Sequence, residues 1–454
     1  MIHPLCAPLL LASVLALPAP LTSVELADEH WPQWRGPLGT GESKHADPPL
    51  EWDDEKNIRW KAEIPGAGKG TPIIWGDLVF VLTAEGFGEE VQPEEPEGGG
   101  GGRRGGRRGG GMKKIQPTQK QRFTILALNR SDGSVAWQAV AREALPHEGT
   151  HGDASWASGS ALTDGRRLFA HFGSNGLFAY DLAGKKLWET DLGQMRTRNG
   201  FGEGSSPAVH GDTLVVQWDH EGPSFIVALN ANTGEELWRR ERDEPTSWAT
   251  PLIVEVDGKP QVITNGTNKI RSYDLASGEI VWECGGMTLN AIPSPVYADG
   301  VVYLMSGFRG NALLAIRLDG AKGDITDTDA VLWQHDRDTP YVPSPLLVEG
   351  QLYFFKGNTG ILSAHDVASG EAAFGPERLE SVANVYASPV AAAGRIYLVS
   401  RDGETEVLEP GSDYKVLATN VLEDSFDASP AVVGDELYLR GAKHVYCIAE
   451  AAGE

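Results

Sequence analysis

The stretch SSPAVHGDTLVVQWDHEGPSFIVALNANTGEELW, Ser205 to Trp238, decides the fold. A small residue and a proline open a short strand. A Gly-Asp turn follows, then the β-rich run TLVVQW, the aliphatic stretch SFIVALN, an Asn-Thr-Gly turn and a tryptophan. Working outward, the same opening recurs at Thr71-Pro72, Ser158-Gly159-Ser160, Ser206-Pro207, Thr250-Pro251, Ser294-Pro295, Ser344-Pro345, Ser388-Pro389 and Ser429-Pro430. Gaps from Ser160 through the later prolines are 47, 44, 44, 50, 44 and 41 residues. Self-similarity at that period signals a solenoid or a propeller.

Four short strands fit each period. Near Leu346 they read PSPLLV, QLYFFK, GILSAHD and EAAF. Alternating apolar positions, Gly-bearing turns and β-branched or aromatic enrichment argue strands over helices. Four strands per repeat predict an all-β, eight-bladed propeller of four-stranded antiparallel blades. The fourth strand of each blade carries a wide aromatic: Trp137, Trp188, Trp238, Trp282, Trp333 and Phe374, with a degenerate YKVLAT near Tyr414 in blade 7. Blade 8 ends after three strands at Tyr446-Cys447-Ile448. The missing fourth is upstream, in Asn57-Ile58-Arg59-Trp60-Lys61, so the N-terminal strand is expected to close the ring beside the C-terminal one. Closure removes an aggregation-prone sheet edge. One aromatic per blade at a repeating position suits blade packing, because stacking a single cofactor would need only one or two.

The chain divides into 1–27, 28–56, 57–450 and an insertion at 88–121. Leu9 to Leu17 is an apolar core of signal-peptide length, so residues 1–27 are expected to be an export signal and the protein to be periplasmic or extracellular. No later apolar run is long enough to span a membrane. Residues 28–56 form a lead-in and 57–450 the propeller. The insertion, within blade 1, runs from an acidic Glu89–Glu97 half to a basic Arg103–Lys114 half, and its Gly/Pro/charge composition predicts disorder. Its RRGGRR element resembles nucleic-acid-binding RGG segments. A net charge of −24 nevertheless argues against a nucleic-acid or anionic-membrane partner. Cys284 and Cys447 fall in blades 4 and 8, too far apart for a disulfide.

Chemistry is expected on the face shared by the links between strands 2 and 3 and the links between blades. The 2–3 links supply Glu85, Ser174-Asn175, Asp219-His220, Asn265, Asn268, Arg309, Lys356, Asn358, Arg401-Asp402, Arg440 and Lys443. The blade-to-blade links add His147, His151, Asp153, Arg198, Glu203, Asn290, Tyr341, Tyr386 and Asp427. The ligand candidates are Asp219, His220, Arg309, Lys356, Arg401, Arg440, His147 and His151. Four consecutive blades offering a cation suggest an anion site, set against solvated turn charges as the plainer reading. His147, His151 and Asp153 have loosely metal-like spacing without a third ligand pattern, and no metal is predicted. Asp219-His220-Glu221 resembles an acid–base cluster, but adjacent strand residues point opposite ways. The Asp-rich Gly323–Ala330 lacks a calcium-loop glycine and reads as a long turn.

The phrases SSPAVHGDTLVV, ALNANTGEELW, SYDLASGEIVW and SPLLVEGQLYFFKGNTGILSAHDVASGE resemble the pyrroloquinoline-quinone (PQQ)-like β-propeller repeat. The lead-in WPQWRGPLGTGES, Trp31 to Ser43, is similar to that of exported, planctomycete-type members. The resemblance implies the fold. For activity it implies either a quinoprotein dehydrogenase or a propeller like the outer-membrane assembly lipoprotein, which binds no quinone. The dehydrogenases stack PQQ on a vicinal disulfide and hold calcium beside a catalytic aspartate; this chain has no adjacent cysteines. Fold does not settle function. The expectation is therefore an exported, monomeric, non-enzymatic scaffold without a cofactor. It would bind a protein, or an anionic small molecule or carbohydrate, on a charged axial face. The alternatives are a PQQ-dependent dehydrogenase with calcium and a hydrolase or lyase of anionic carbohydrate.

Overall fold

The computed structural model describes residues 29–91 and 114–450. The proposed export signal and the RRGGRR element lie outside the described residues. Eight four-stranded antiparallel sheets follow one another around an axis. Blade 3, built from Ala208–His210, Thr213–Trp218, Ser224–Asn230 and Glu236–Arg242, shows the plan, with each strand paired to the next. Its two middle strands are almost wholly buried, whereas Glu236–Arg242 is mostly exposed or half-buried. The core therefore sits between neighbouring sheets.

Blade 8 is closed as the strand count requires. Ile58–Glu63 pairs antiparallel with His444–Ile448, matching Lys61 with Tyr446 and Glu63 with His444. A second closure runs around the axis. The backbone N–H of Thr71 donates to Ser160 Oγ, Ser160 to Ser206 Oγ, Ser206 to Thr250 Oγ1 and Thr250 to Ser294 Oγ. Ser294 then donates to Ser344 Oγ, Ser344 to Ser388 Oγ and Ser388 to Ser429 Oγ, every bond between 2.8 and 3.1 Å. The small residue opening each repeat is thus one member of a hydroxyl girdle.

The outer aromatics pack between blades. Trp60, Trp137, Trp188, Trp238 and Trp333 each donate the indole N–H to a carbonyl in the 3–4 turn of the next blade, at 2.7–3.1 Å. Each ring also lies on the glycine of that turn. A Cβ at Gly133, Gly184, Gly234, Gly278 or Gly370 would come within 2.5–2.7 Å of the ring. Trp282 is the exception: it is fully buried, yet its indole N–H has no partner among the described residues. Blade 5 carries the Asp-rich segment in the corresponding turn, and there Gly323–Asp324 adds a short parallel strand beside Trp282 and Glu283. The segment read as a plain turn instead covers the edge of blade 4. Phe374 is only half-buried, its ring beside that of Tyr353.

Two boundaries differ from the sequence reading. Ordered structure reaches into the 88–121 span, because Lys120–Asn129 forms the third strand of blade 1 and Lys114–Ile115 pairs with Thr150–His151. The lead-in is also built into the fold. Trp31 is fully buried and exchanges backbone hydrogen bonds with Ile74. Glu42–Ser43 adds a parallel strand to the innermost strand of blade 7. Buried Arg35 donates to the carbonyls of Thr40, Pro345 and Pro389, tying the lead-in to blades 6 and 7. With no carboxylate nearby, burial lowers the Arg35 pKa to about 9.

Candidate functional site

The girdle forms the floor of an axial cavity of about 420 Å³, within the range of small-ligand sites. Trp34, carried under the girdle by the lead-in, closes it from below. Phe201, Trp248, Phe308, Tyr341 and Tyr386 line its walls. Phe308 and Tyr341 stack at 4.9 Å between centroids.

One side of the wall is a chain of charges from four parts of the ring. Lys69 Nζ lies 2.5 Å from Asp427, whose other oxygen lies 2.5 Å from Arg401 Nε. Arg401 Nη2 lies 3.0 Å from Asp153, and the Tyr386 hydroxyl donates to Asp153 at 3.2 Å. His151 Nδ1 stands 3.4 Å from the same carboxylate. The Arg401 guanidinium also sits 4.1 Å above the Tyr386 ring, a cation–π arrangement. Burial pulls the Arg401 pKa down, but Asp427 and Asp153 outweigh it and the net shift is upward. Burial raises the Asp153 pKa, and the Arg401 hydrogen bond leads the effects that bring it below the usual range. Burial, with Asp153, pushes Tyr386 up to about 12. Asp153 and Arg401 therefore stay ionised, and the phenol stays protonated.

The expected ligand residues divide sharply. His151 lines this cavity, with Asp153, Tyr341, Tyr386 and Asp427 from the blade links, whereas Arg401 is not a lining residue and reaches the wall only through its pairs with Asp153 and Asp427. Asp219 does not. Its side chain is fully buried and paired with Arg242 at 2.7 Å, and it accepts from Ser247 and Gln217. His220 is buried with both ring nitrogens engaged, Nδ1 accepting from the Arg196 N–H and Nε2 donating to the Pro223 carbonyl. Adjacent positions on a strand end do point apart, and neither residue faces a ligand. His147 stands outside the cavity and donates to the Met195 carbonyl.

The anion site expected from four cations is not assembled. Lys356 pairs with Asp338 at 2.7 Å and Arg401 with two aspartates. Arg309 is exposed at positive φ, over the Phe308 ring. Arg440 is buried beside Gly68 with Nη1 unpartnered, and burial lowers its pKa to about 10. Aligned repeat positions share a loop but not a direction, and the blade links bring acids that repeat counting of the 2–3 links leaves out. The aromatics Trp34, Phe201, Trp248 and Phe308, and Lys69, were not among the sequence candidates. Their signal was available: Trp34 and Trp248 are tryptophans off the blade period, in linking segments.

Calcium would find few free carboxylate oxygens among the cavity residues. Calcium takes six to eight oxygen ligands. The two cavity carboxylates, Asp153 and Asp427, are already bound to cations. Among the described residues no group of three His, Cys, Asp or Glu gathers to hold a metal. Cys284 and Cys447 are free, buried and in separate blades, their thiols pushed by burial up to about 11 and about 12. Among the described residues no helix is long and apolar enough to cross a membrane.

Comparison with known proteins agrees with this architecture. Among curated protein sequences none matches the chain. BamB from Moraxella catarrhalis is similar in structure, with TM-score 0.54 and 16% identity over 73% of this chain and 92% of that one. The quinohemoprotein alcohol dehydrogenase from Comamonas testosteroni gives TM-score 0.62 and 11% identity over 94% and 81%. A europium-containing methanol dehydrogenase gives 0.60 and 11% over 93% and 92%. At such identities the likeness concerns the fold. The family model described as outer membrane protein assembly factor BamB matches residues 50–222 and again 222–454. With eight PQQ-like repeats closed into one ring, the chain belongs to this BamB-type family of PQQ-like propellers.

Proposed function

We propose that this chain is an exported, non-enzymatic propeller that receives a ligand in the axial cavity. The observation that carries the reading is a cavity with Trp34, Phe201, Trp248, Phe308, Tyr341 and Tyr386 in its lining, whose two carboxylates, Asp153 and Asp427, are both held by Arg401. A pocket with apolar walls and a few fixed polar groups suits binding. General acid–base work needs a group whose pKa lies near the operating pH. Here Asp153 is held down and Tyr386 up, so neither exchanges a proton readily. Export rests on the apolar leader Leu9–Leu17.

The test uses immobilised protein and its Phe308→Ala variant, exposed to an envelope extract of the source organism. Mass spectrometry identifies what each retains. At least one species should be held by the native protein, lost from the variant and recovered chemically unchanged. A species recovered oxidised or cleaved would show catalysis, and identical retention would place the binding site elsewhere.

A further inference from the structure

We infer that the axial cavity takes an uncharged, polyhydroxylated ring, a neutral sugar residue of the pyranose class. This rests on the cavity being a ligand site. Three independent features of the cavity carry it.

The first is the girdle. In each of seven girdle residues the hydroxyl oxygen accepts the N–H of the preceding blade. Among the described residues none of those seven hydroxyls donates its own proton to a protein acceptor. A hydroxyl has one donor and two acceptor sites. Each therefore keeps an unused O–H donor, and Ser160, Ser206, Thr250, Ser388 and Ser429 carry theirs on the cavity floor. Most of these residues are buried, so an unmade hydrogen bond is costly there. A ligand with oxygen acceptors spread around its rim matches donors spread around a ring. A compact anion would reach only one arc of them.

The second feature is charge. The wall is already neutral, because Lys69 and Arg401 are balanced by Asp427 and Asp153. An anion would meet the Asp153 and Asp427 carboxylates beside Lys69, and a cation would meet Lys69 and carboxylates already paired with Lys69 and Arg401. Both would lose hydration for little net attraction. A hydroxyl loses little, since the aspartate oxygens still accept and the ligand's O–H groups donate.

The third is the aromatic wall. A pyranose has a flat C–H face as well as polar edges. Trp34 below and Trp248, Phe308 and Tyr341 beside the cavity supply broad apolar surfaces for such a face. Apolar walls alone would suit many ligands. Joined to a floor of O–H donors and a neutral charge chain, they select a molecule that is apolar on one face and hydroxylated on its edges.

The experiment titrates the full-length mature protein by calorimetry with methyl glycosides of glucose, galactose, mannose and xylose. The matching uronic acids and a short acidic peptide are run in parallel. At least one neutral glycoside should bind, about tenfold more weakly to Phe308→Ala, equivalent to about 1.4 kcal/mol. Ser206→Ala should weaken the same glycoside several-fold, while Tyr386→Phe, which keeps the ring, should weaken it less than Phe308→Ala. Thermal melts confirm that each variant is folded. Binding of a uronate or the peptide without any neutral glycoside, lost in Phe308→Ala, would overturn the sugar assignment and leave the cavity a ligand site. Binding of no neutral glycoside overturns the sugar assignment, and the envelope-extract capture then decides separately whether the cavity binds anything. Neutral glycosides bound equally by Phe308→Ala and Ser206→Ala would place them outside the cavity and overturn the inference.

Discussion

The hydroxyl of Thr71 donates to the carbonyl of Ser429 across 2.9 Å, joining the first repeat to the last over 358 positions of sequence. Every other junction in the girdle uses a backbone N–H and the hydroxyl of the next blade. At this junction Thr71 Oγ1 supplies the proton instead. Thr71→Val keeps the shape, removes the donor and strands a buried carbonyl. Urea unfolding should show a loss of about 1–2 kcal/mol with an unchanged m-value. An unaltered midpoint would mean that this bond contributes nothing to closing the ring.

The tryptophan–glycine contacts between blades predict a second difference. Gly184 has φ +88° and the Trp137 ring against its α-carbon, where a Cβ would lie 2.7 Å from the indole. Gly211 has φ +57° in a turn with nothing nearby. Alanine at Gly211 meets only backbone strain, about 1–2 kcal/mol. Alanine at Gly184 must also displace the indole, adding about 1–3 kcal/mol of overpacking. Equal losses at the two sites would show that the ring yields freely and that the contact does not fix the blade spacing.

Asp219 and Arg242 form a pair whose side chains are both fully buried. Arg242 also donates to Thr264 and Tyr273, so the pair joins blades 3 and 4. Asp219→Ala leaves a buried guanidinium uncompensated and should cost about 3–5 kcal/mol. The double variant Asp219→Leu/Arg242→Met should recover part of that loss, because both charges leave together. Ligand capture by the axial cavity should be unchanged in whatever fraction of Asp219→Ala remains folded. Lost capture by the folded fraction would return Asp219 to the site.

The eight repeats and the closing strand at Trp60 were legible because each is written in a local pattern: a small residue, a turn, an alternating run and an aromatic. The site was less legible because it depends on direction rather than on local pattern. Asp153 and Arg401 are 248 positions apart and meet only because the link after blade 1 reaches toward blade 7. Asp219 shares a loop position with Arg401, yet its side chain turns into the gap between blades. Repeat alignment assigns both to one face and carries no information on which way each points. Trp34 shows the same limit: its lead-in resembles a linker in sequence, and only the Arg35 bonds to Pro345 and Pro389 place it beneath the axis.

His171 predicts a component of acid sensitivity. It ends the second strand of blade 2 and is only 4% exposed. Its Nδ1 donates to the Ser205 carbonyl at 3.3 Å, and Nε2 has no partner among the described residues. Burial lowers its pKa to about 4, so the folded protein holds a neutral imidazole at neutral pH. Above about pH 6.5 the ring is neutral folded or unfolded and contributes no pH dependence. As pH falls through 6.5 the unfolded chain takes up the proton first, so stability declines until the folded ring also protonates near pH 4. The whole component is about 3 kcal/mol, most of it lost by pH 4.5. His171→Gln has nothing to protonate there. The stability difference between the two proteins, measured by urea unfolding, should shift by about 2–3 kcal/mol in favour of the variant between pH 7 and pH 4.5. Carboxylate titrations act on both proteins and drop out of that difference. Parallel pH profiles would mean that the His171 ring is charged or solvated in the folded state, and that the gap between blades 2 and 3 is open to water.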